Sequence, residues 1–573
     1  MRSAALGPQY RTRVLREMSE NDYDVLVVGG GIVGAGAALD AVSRGLSVAL
    51  VEARDWAAGS SSRSSKLIHG GLRYLEQLDF RLVREALKER HLLLTRLAPH
   101  LVHPVPFLFP LTHRIWERFY ISAGMTLYDF LGGLRSAVPR HRHLSRRGAL
   151  REAPGLHPDA LIGALQYFDA QTDDARMTLA VARTAARYGA AVATRARVTG
   201  LLREGPRVTG ARVLDLESGQ EIAVRARQVI SATGVWTDES LAMAGTRDTH
   251  TMKPSKGVHI VVPRERISLR TAMILRTEKS VLFVIPWGRY WVIGTTDTPW
   301  SLDKDRPVAS RADIDYLLDH VNVVLRRPLS HDDIEGVYAG LRPLLAGNAE
   351  NTAKLSREHL VAAPVPGFVV VAGGKYTTYR VMAKDAVDMA LRDLGAEAPQ
   401  SVTDRVPLIG ATGYEALWNG RRALAERSGL NLPSVERLLR RYGADVEDLL
   451  DLIAADPSLG RALEGAPGYL RAEVVYAASH EQALHLEDTM TRRTHIFIEE
   501  RDRGRAAAPE VAALMAPVLG WDDEAVRRET DHYRLLVHAE ITAERQPDDI
   551  AAETVLHAVP EPSAHAGTAD AGR

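Results

Sequence analysis

At 573 residues the chain exceeds what one compact core holds, so two or three domains are expected. Lys plus Arg (72) balance Asp plus Glu (72), which leaves no bulk charge to draw the chain to nucleic acid. There is no cysteine, which excludes disulfides, thiolate catalysis, Cys-ligated zinc and iron–sulfur clusters and fits a reducing compartment, and no stretch approaches the ~20 apolar residues that a spanning helix needs.

Residues 1–20 are basic (Arg2, Arg11, Arg13, Arg16), lack the continuous apolar core of a secretory signal, and are expected to form a polar leader, flexible or in part helical. Tyr23 to Glu52, YDVLVVGGGIVGAGAALDAVSRGLSVALVE, then reads as strand, glycine-rich turn, helix and strand. Val25 to Val28 suit a buried strand. Gly29, Gly31 and Gly34 set G-x-G-x-x-G at the mouth of a helix that Gly45 stops, and Leu46 to Val51 make the next strand. The glycines allow a tight turn, close approach of backbone to a pyrophosphate, and close helix–strand packing. The helix N-terminus offers unpaired N–H groups and a positive dipole end to phosphate. Glu52, ending the second strand, is placed to bind both hydroxyls of an adenosine ribose. The unit is read as a dinucleotide site.

Ser60 to Glu76, SSSRSSKLIHGGLRYLE, packs hydroxyls, Lys, His and Arg together. Phe80 to Leu97 has helical apolar spacing, which Pro99, Pro104, Pro106 and Pro110 then break. Asp173 and Asp174 are candidate N-caps of a helix that Gly189 closes. Strand-like segments run from Ala191 to Ala232 and end at Gly234. Apolar runs between Gly257 and Asp297 predict a second sheet, and Phe368 to Ala372 predicts a buried strand entering Gly373-Gly374. After about Pro399 helical patterns dominate, as in Ser434 to Tyr442, closed by Gly443, and Asp445 to Ala454. An NAD dehydrogenase completes its dinucleotide domain soon after the first unit; glycine-ended elements scattered this widely suit the longer FAD. The expected fold class is α/β: a discontinuous Rossmann-like FAD-binding domain (about 21–80, 165–250 and 335–400), a β-sheet-containing substrate domain (about 81–164 and 251–334), and a mostly α-helical C-terminal domain (401–555), followed by a disordered tail (556–573).

The strings SSKLIHGGLRYLE, DDAR, ATGVW, KGVHIVVP, FVIPW, IGTTD, GLRPL and GGKYTTYR, in this order, resemble the FAD-dependent glycerol-3-phosphate dehydrogenases. The resemblance runs from about Tyr23 to Arg380 and resumes at Glu473 to Thr494, where HEQALHLEDTMTRRT matches the family's HE…D…RRT pattern. It implies non-covalent FAD, oxidation of sn-glycerol 3-phosphate to dihydroxyacetone phosphate, delivery of electrons to a membrane quinone, and a homodimer.

Oxidising a secondary alcohol with a flavin requires a hydride acceptor, a base for the hydroxyl proton, a grip on the dianionic phosphate, and stabilisation of the reduced flavin's negative charge. The motif cations are Arg73, Arg342 and Lys375. With Tyr74 and Thr377 they are candidates for the substrate pocket, since guanidinium groups suit phosphate and each residue lies beside glycine or proline. The family match makes His259 the candidate base, with Asp297 to orient it or bind substrate, and His69 as a second candidate near the flavin. Gly373, Gly374 and Lys375 are expected to face the pyrimidine end of the flavin. Gly234 marks a backbone pass near the cofactor, Val198 a main-chain contact to adenine, and Ser64, Ser65 and Lys66 contacts to pyrophosphate or ribityl oxygens. His480-Glu481…His485 imitates a zinc-protease helix, but residues five apart point to different faces, and no metal site is expected.

Aromatic residues bunch at Phe107, Phe109, Trp116, Phe119, Tyr120, Tyr128 and Phe130, flanked by His113, Arg114, Arg118 and Arg135. That pattern suits an interfacial segment on anionic lipid or, equally, a core helix. Since a quinone is a lipid, peripheral attachment to the inner, cytoplasmic face of the cell membrane is expected. Rival readings are an oxidase of the same substrate that yields hydrogen peroxide, a non-catalytic flavin-binding interaction module, and, more weakly, an amine-oxidising relative.

Overall fold

The structure, a computed structural model, describes residues 5–71, 79–111, 116–132, 137–246, 252–277, 281–346, 359–395 and 399–560. Strand Asp22–Val28 pairs in parallel with Val48–Val51 on one side and Glu221–Ser231 on the other. The sheet extends to Ala191–Ala193 at one edge, and to Phe368–Gly373 and the antiparallel His359–Val365 at the other. Its strands are continuous apolar runs because both faces are covered; Val25, Leu26, Val27, Leu50, Val229 and Val369 have no solvent exposure. Helices Ile32–Ser43, Asp174–Arg187 and Tyr379–Asp393 stack on one face. Gly36 lets the Tyr379 ring come close, since a Cβ there would lie 2.9 Å from it. Strands Ala196–Glu204 and Arg207–Asp215 cover the other face.

That second face is also covered by helix Pro8–Glu20, which corrects the expectation of a flexible leader for these residues. Arg11, Val14, Leu15 and Met18 recur at helical spacing and are buried, and Arg11 Nη2 meets Asp215 Oδ1 at 2.5 Å. The stripe is short and carries a charge, so average polarity concealed it.

A second sheet runs in the order Thr298–Pro299, Ser255–Pro263, Tyr290–Gly294, Val281–Trp287, Ala272–Arg276, Val102–Leu111, Gly163–Thr172 and Leu67–Ile68. Gly336–Arg342 also pairs with Ser255–Pro263, antiparallel over Ser255 to Val261. The helical run ends at Leu97, ahead of the prolines, and Pro104, Pro106 and Pro110 lie inside the strand Val102–Leu111, which pairs along its whole length with Gly163–Thr172. Because they occupy alternate positions, their missing N–H groups fall along one edge of the strand. The aromatic bunch divides. Phe107, Phe109 and Tyr128 are core residues of this layer, while Phe130, near the end of helix Trp116–Leu131, is 80% exposed. His113, Arg114 and Arg135 lie outside the described residues.

Beyond residue 401 the chain is helical apart from the hairpin Ala462–Leu463 and Ala466–Leu470. The last helix, Asp549–His557, runs past the expected boundary at 555 and Val559 packs behind it, so the tail as expected starts too early; residues 561–573 lie outside the described residues. This unit docks through buried ion pairs. Asp55 meets Arg492 at 2.5 Å and Arg493 at 2.6 Å, and Asp488 meets Arg492 at 2.6 Å and Arg195 at 3.1 Å. Glu481 takes Arg176 at 2.6 Å, and His480 stacks on Tyr476. His485 lies between Glu529 at 2.9 Å and Glu217 at 3.0 Å.

Removing one partner of such a pair strands a buried charge. Asp55→Ala leaves two guanidinium groups short of a carboxylate and is expected to cost about 3–5 kcal/mol, read as a lower thermal midpoint by calorimetry. Burial and Arg195 pull His485 down, but its hydrogen bonds to Glu217 and Glu529 outweigh them and hold it at about 9. Its contribution to stability is therefore complete below the unfolded value of ~6.5 and is lost as pH rises through about 9. Denaturant titrations between those limits should show this loss, and His485→Asn should flatten it.

Candidate active site

A cavity of about 680 Å³ is lined from both sheets. At one end lies the glycine turn. Gly29 has φ +109°, and a Cβ on Gly34 would lie 1.9 Å from the Gly29 carbonyl oxygen. A Cβ on Gly30 would strike Glu52 and the Trp56 ring at 2.7 Å. Gly31 is the N-cap of Ile32–Ser43, and the Ile32 N–H is satisfied by Ser61 Oγ at 3.0 Å. Gly31, Ile32 and Val33 at the start of this helix line the same cavity end as Gly29 and Glu52, and first-turn N–H groups lack partners within a helix. Glu52 accepts the Gly30 N–H at 2.5 Å and the Arg54 N–H at 2.8 Å, and burial holds its carboxyl above the usual range. A cradle that any side chain would fill, with a carboxylate at its rim, fits a dinucleotide. Val198 and Gly234 also line this cavity, and a Cβ on Gly234 would meet open space.

His259, Asp297, Arg342, His69, Gly373, Gly374, Lys375 and Thr377 line the same cavity. Arg342 ends its strand opposite Ser255, and its guanidinium is held by Thr295 Oγ1 at 3.1 Å, the Thr296 carbonyl at 2.9 Å and Asp297 Oδ1 at 3.4 Å. Thr377 Oγ1 accepts the His69 N–H at 3.3 Å. Gly373 and Gly374 have φ +72° and +76° and turn the chain into Tyr376–Thr378, a single 3-10 turn, so the helix expected directly after them starts at Tyr379. Arg73 and Tyr74 lie outside the described residues.

Three expectations are corrected. Lys66 does not line the cavity; it is 1% exposed, with Nζ 2.5 Å from Asp174 Oδ1 and 2.6 Å from the Ser62 carbonyl. Ser64 does reach the cavity wall, but its N–H and Oγ both turn to Asp174 Oδ2, at 2.9 and 2.6 Å. A buried carboxylate outcompetes a ligand for these donors, and Asp174 had been read only as a cap, a role that Asp173 fills. Asp297 does not orient His259; it accepts from Ser255 and pairs with Arg342.

His259 instead has Nε2 2.8 Å from Ser65 Oγ, and its ring stacks on Tyr338 with centroids 4.7 Å apart. It is held well below its ordinary pKa by burial, then by the Arg342 and Lys66 charges, so the neutral base form prevails at pH 7. The sequence reading missed Tyr338, Trp236, Arg54, Arg63 and Arg197, all neighbours of the site. The four other than Tyr338 line the cavity. Arg63 lay within the hydroxyl cluster, but nothing local marks Tyr338. Burial lowers Arg63 to about 10, so it too remains a cation at neutral pH.

A model of the family described as FAD dependent oxidoreductase matches residues 24–389, and one described as the C-terminal domain of alpha-glycerophosphate oxidase matches 401–526. The chain is 56% identical to glycerol-3-phosphate dehydrogenase 2 of Mycobacterium tuberculosis, over 98% of this chain and 95% of that one. It is 35% identical to the human mitochondrial glycerol-3-phosphate dehydrogenase, over 96% and 78%. The crystal structure of a glycerol-3-phosphate dehydrogenase from Bacillus halodurans, complexed with FAD, superposes with a TM-score of 0.77 at 28% identity, covering 94% of this chain and 99% of that one.

Gly34→Ala places a methyl group 1.9 Å from the Gly29 carbonyl oxygen. The variant is expected to purify without visible flavin absorbance, checked by the spectrum and by flavin release on denaturation.

Proposed function

The chain belongs to the FAD-dependent glycerol-3-phosphate dehydrogenases, with FAD as its cofactor, and from that premise we propose that it oxidises sn-glycerol 3-phosphate to dihydroxyacetone phosphate and passes the electrons to a membrane quinone. The supporting observation is that Arg342, Lys375, Thr377 and a neutral His259 share one cavity with the dinucleotide cradle. The bound flavin supplies the hydride acceptor. Glu52 and the Ile32–Ser43 N-terminus hold the adenosine and pyrophosphate end. Gly373, Gly374 and Lys375 present N–H groups and a cation to the isoalloxazine. Arg342 brings its positive charge to the phosphate, its guanidinium oriented by Thr295, Thr296 and Asp297. Asp297 thus orients the arginine, and His259 is the base for the proton lost from the substrate's hydroxyl.

No helix among the described residues is long and apolar enough to cross a membrane. Phe130 at 80% exposure and Phe80 at 43% support a peripheral contact on the cytoplasmic face, where a lipid-dissolved quinone collects the electrons. The rival reading, an oxidase, is favoured only by the resemblance of residues 401–526 to an oxidase domain. Anaerobic glycerol 3-phosphate is expected to bleach the flavin. Quinone should restore the colour far faster than air, and the reverse order would make the protein an oxidase.

Arg342→Ala removes hydrogen bonds to a charged group worth about 1.5–3 kcal/mol. It should raise KM some 10- to 100-fold with FAD content unchanged, and wild-type kinetics would remove Arg342 from the site. Because the folded protein keeps His259 below its ordinary value, the base stays active as pH falls. With the substrate phosphate ionisation (~6) divided out, kcat/KM should be flat down through pH ~6.5 and fall only below it.

A further inference from the structure

His259 lines the cavity but is enclosed on most sides. It is 2% exposed. Tyr338 covers one face of the ring at 4.7 Å. On the Gly294 side the backbone is so close that a Cβ there would lie 2.2 Å from the ring's Cδ2. Nδ1 is buried without a hydrogen-bond partner. The one nitrogen with a partner is Nε2, and that partner is Ser65 Oγ at 2.8 Å. Ser65 is half-buried and lines the cavity, so its hydroxyl, bonded to Nε2, is the more exposed of the two groups and links the open space to the imidazole.

The serine is held there from both sides. Ser64 and Lys66 are both tied to the fully buried Asp174, by Ser64 N–H at 2.9 Å, Ser64 Oγ at 2.6 Å and Lys66 Nζ at 2.5 Å. Lys66 adopts φ +59°, a left-handed conformation that a lysine holds only where its surroundings compel it. The chain bends around Ser65 and aims its side chain at His259.

Resting on the reaction proposed above, we infer that the Ser65 hydroxyl is a catalytic proton relay: the C2 hydroxyl of the substrate gives its proton to Ser65 Oγ while Ser65 gives its own proton to His259 Nε2. The step balances. The C2–H bond breaks and its electron pair leaves with the hydride to the bound FAD. The O–H bond breaks and its proton replaces the one Ser65 hands on, and the C2–O bond becomes a carbonyl. Ser65 ends as it began and His259 ends as imidazolium. The relay requires His259 to carry its resting proton on Nδ1 and to offer the Nε2 lone pair to Ser65.

The test is anaerobic stopped-flow reduction of the holoenzyme by glycerol 3-phosphate. If the wild type fails to bleach, the proposed reaction falls and the relay with it. If the wild type bleaches, Ser65→Ala should bleach at least ~100-fold more slowly with its FAD content intact, and Ser65→Thr, which keeps the hydroxyl, should recover most of the rate. Ser65→Ala bleaching at the wild-type rate would overturn the relay and leave the reaction standing. Should Ser65→Ala lose FAD, two measurements on the wild type decide. A bowl-shaped proton inventory for flavin reduction supports two protons in flight, and a linear one overturns it. In the oxidised holoprotein, 15N histidine NMR should show an unprotonated, hydrogen-bonded Nε2 at His259, and a protonated Nε2 overturns the relay.

Discussion

The carboxylate of Asp174 ties the site together. It has no solvent exposure, and it accepts from Ser64, Lys66 and the Ala175 N–H, while its backbone carbonyl accepts from Tyr376 at 2.6 Å. Three segments distant in sequence therefore meet on one residue: the 62–66 loop, the start of helix Asp174–Arg187, and the 375–378 turn. Two of them bring groups to the cavity, Ser65 from the loop and Lys375 and Thr377 from the turn, and the helix start holds both in place. Burying Lys66 with Asp174 adds little net stability, because desolvation of both ions offsets their attraction. What it contributes is a single permitted arrangement, since either ion alone would be left uncompensated in the core.

The helical unit braces the other end of the cavity by the same means. Glu52 and Arg54 line the dinucleotide end, and the next residue, Asp55, is gripped by Arg492 and Arg493. The turn after the second strand is thus pinned between its own glycine-rich neighbour and a domain some 440 residues further along the chain. Cofactor geometry and domain docking are mechanically one problem in this protein, which accounts for the concentration of arginines and acids in residues 481–493.

Much of this was legible in the chain. The dinucleotide unit was read correctly because its determinants are contiguous and steric: Gly34 must lack a Cβ wherever the strand and helix cross this closely. The split of the cofactor domain into separated pieces was legible because each piece ends in glycine. The misreadings share a cause. Helix Pro8–Glu20 hid a stripe of three apolar residues and one arginine beneath polar surroundings. The prolines of Val102–Leu111 marked the end of the helical run, but the strand that holds them on one edge was not legible. Lys66 looked like a phosphate ligand because a cation beside serines has no visible partner until Asp174 folds against it.

Alone, the amino-acid sequence determined the cofactor class, the order of the layers and the family, since these follow from local sterics, periodicity and ordered motifs. Only the tertiary structure decided which polar groups face one another. Ser65 and His259 stand 194 positions apart and Lys66 and Asp174 stand 108 apart, and both pairs touch. Such meetings depend on how two sheets and a loop pack in space. Hydrophobic spacing along the chain reports which face of an element is buried and is silent on which distant partner covers it.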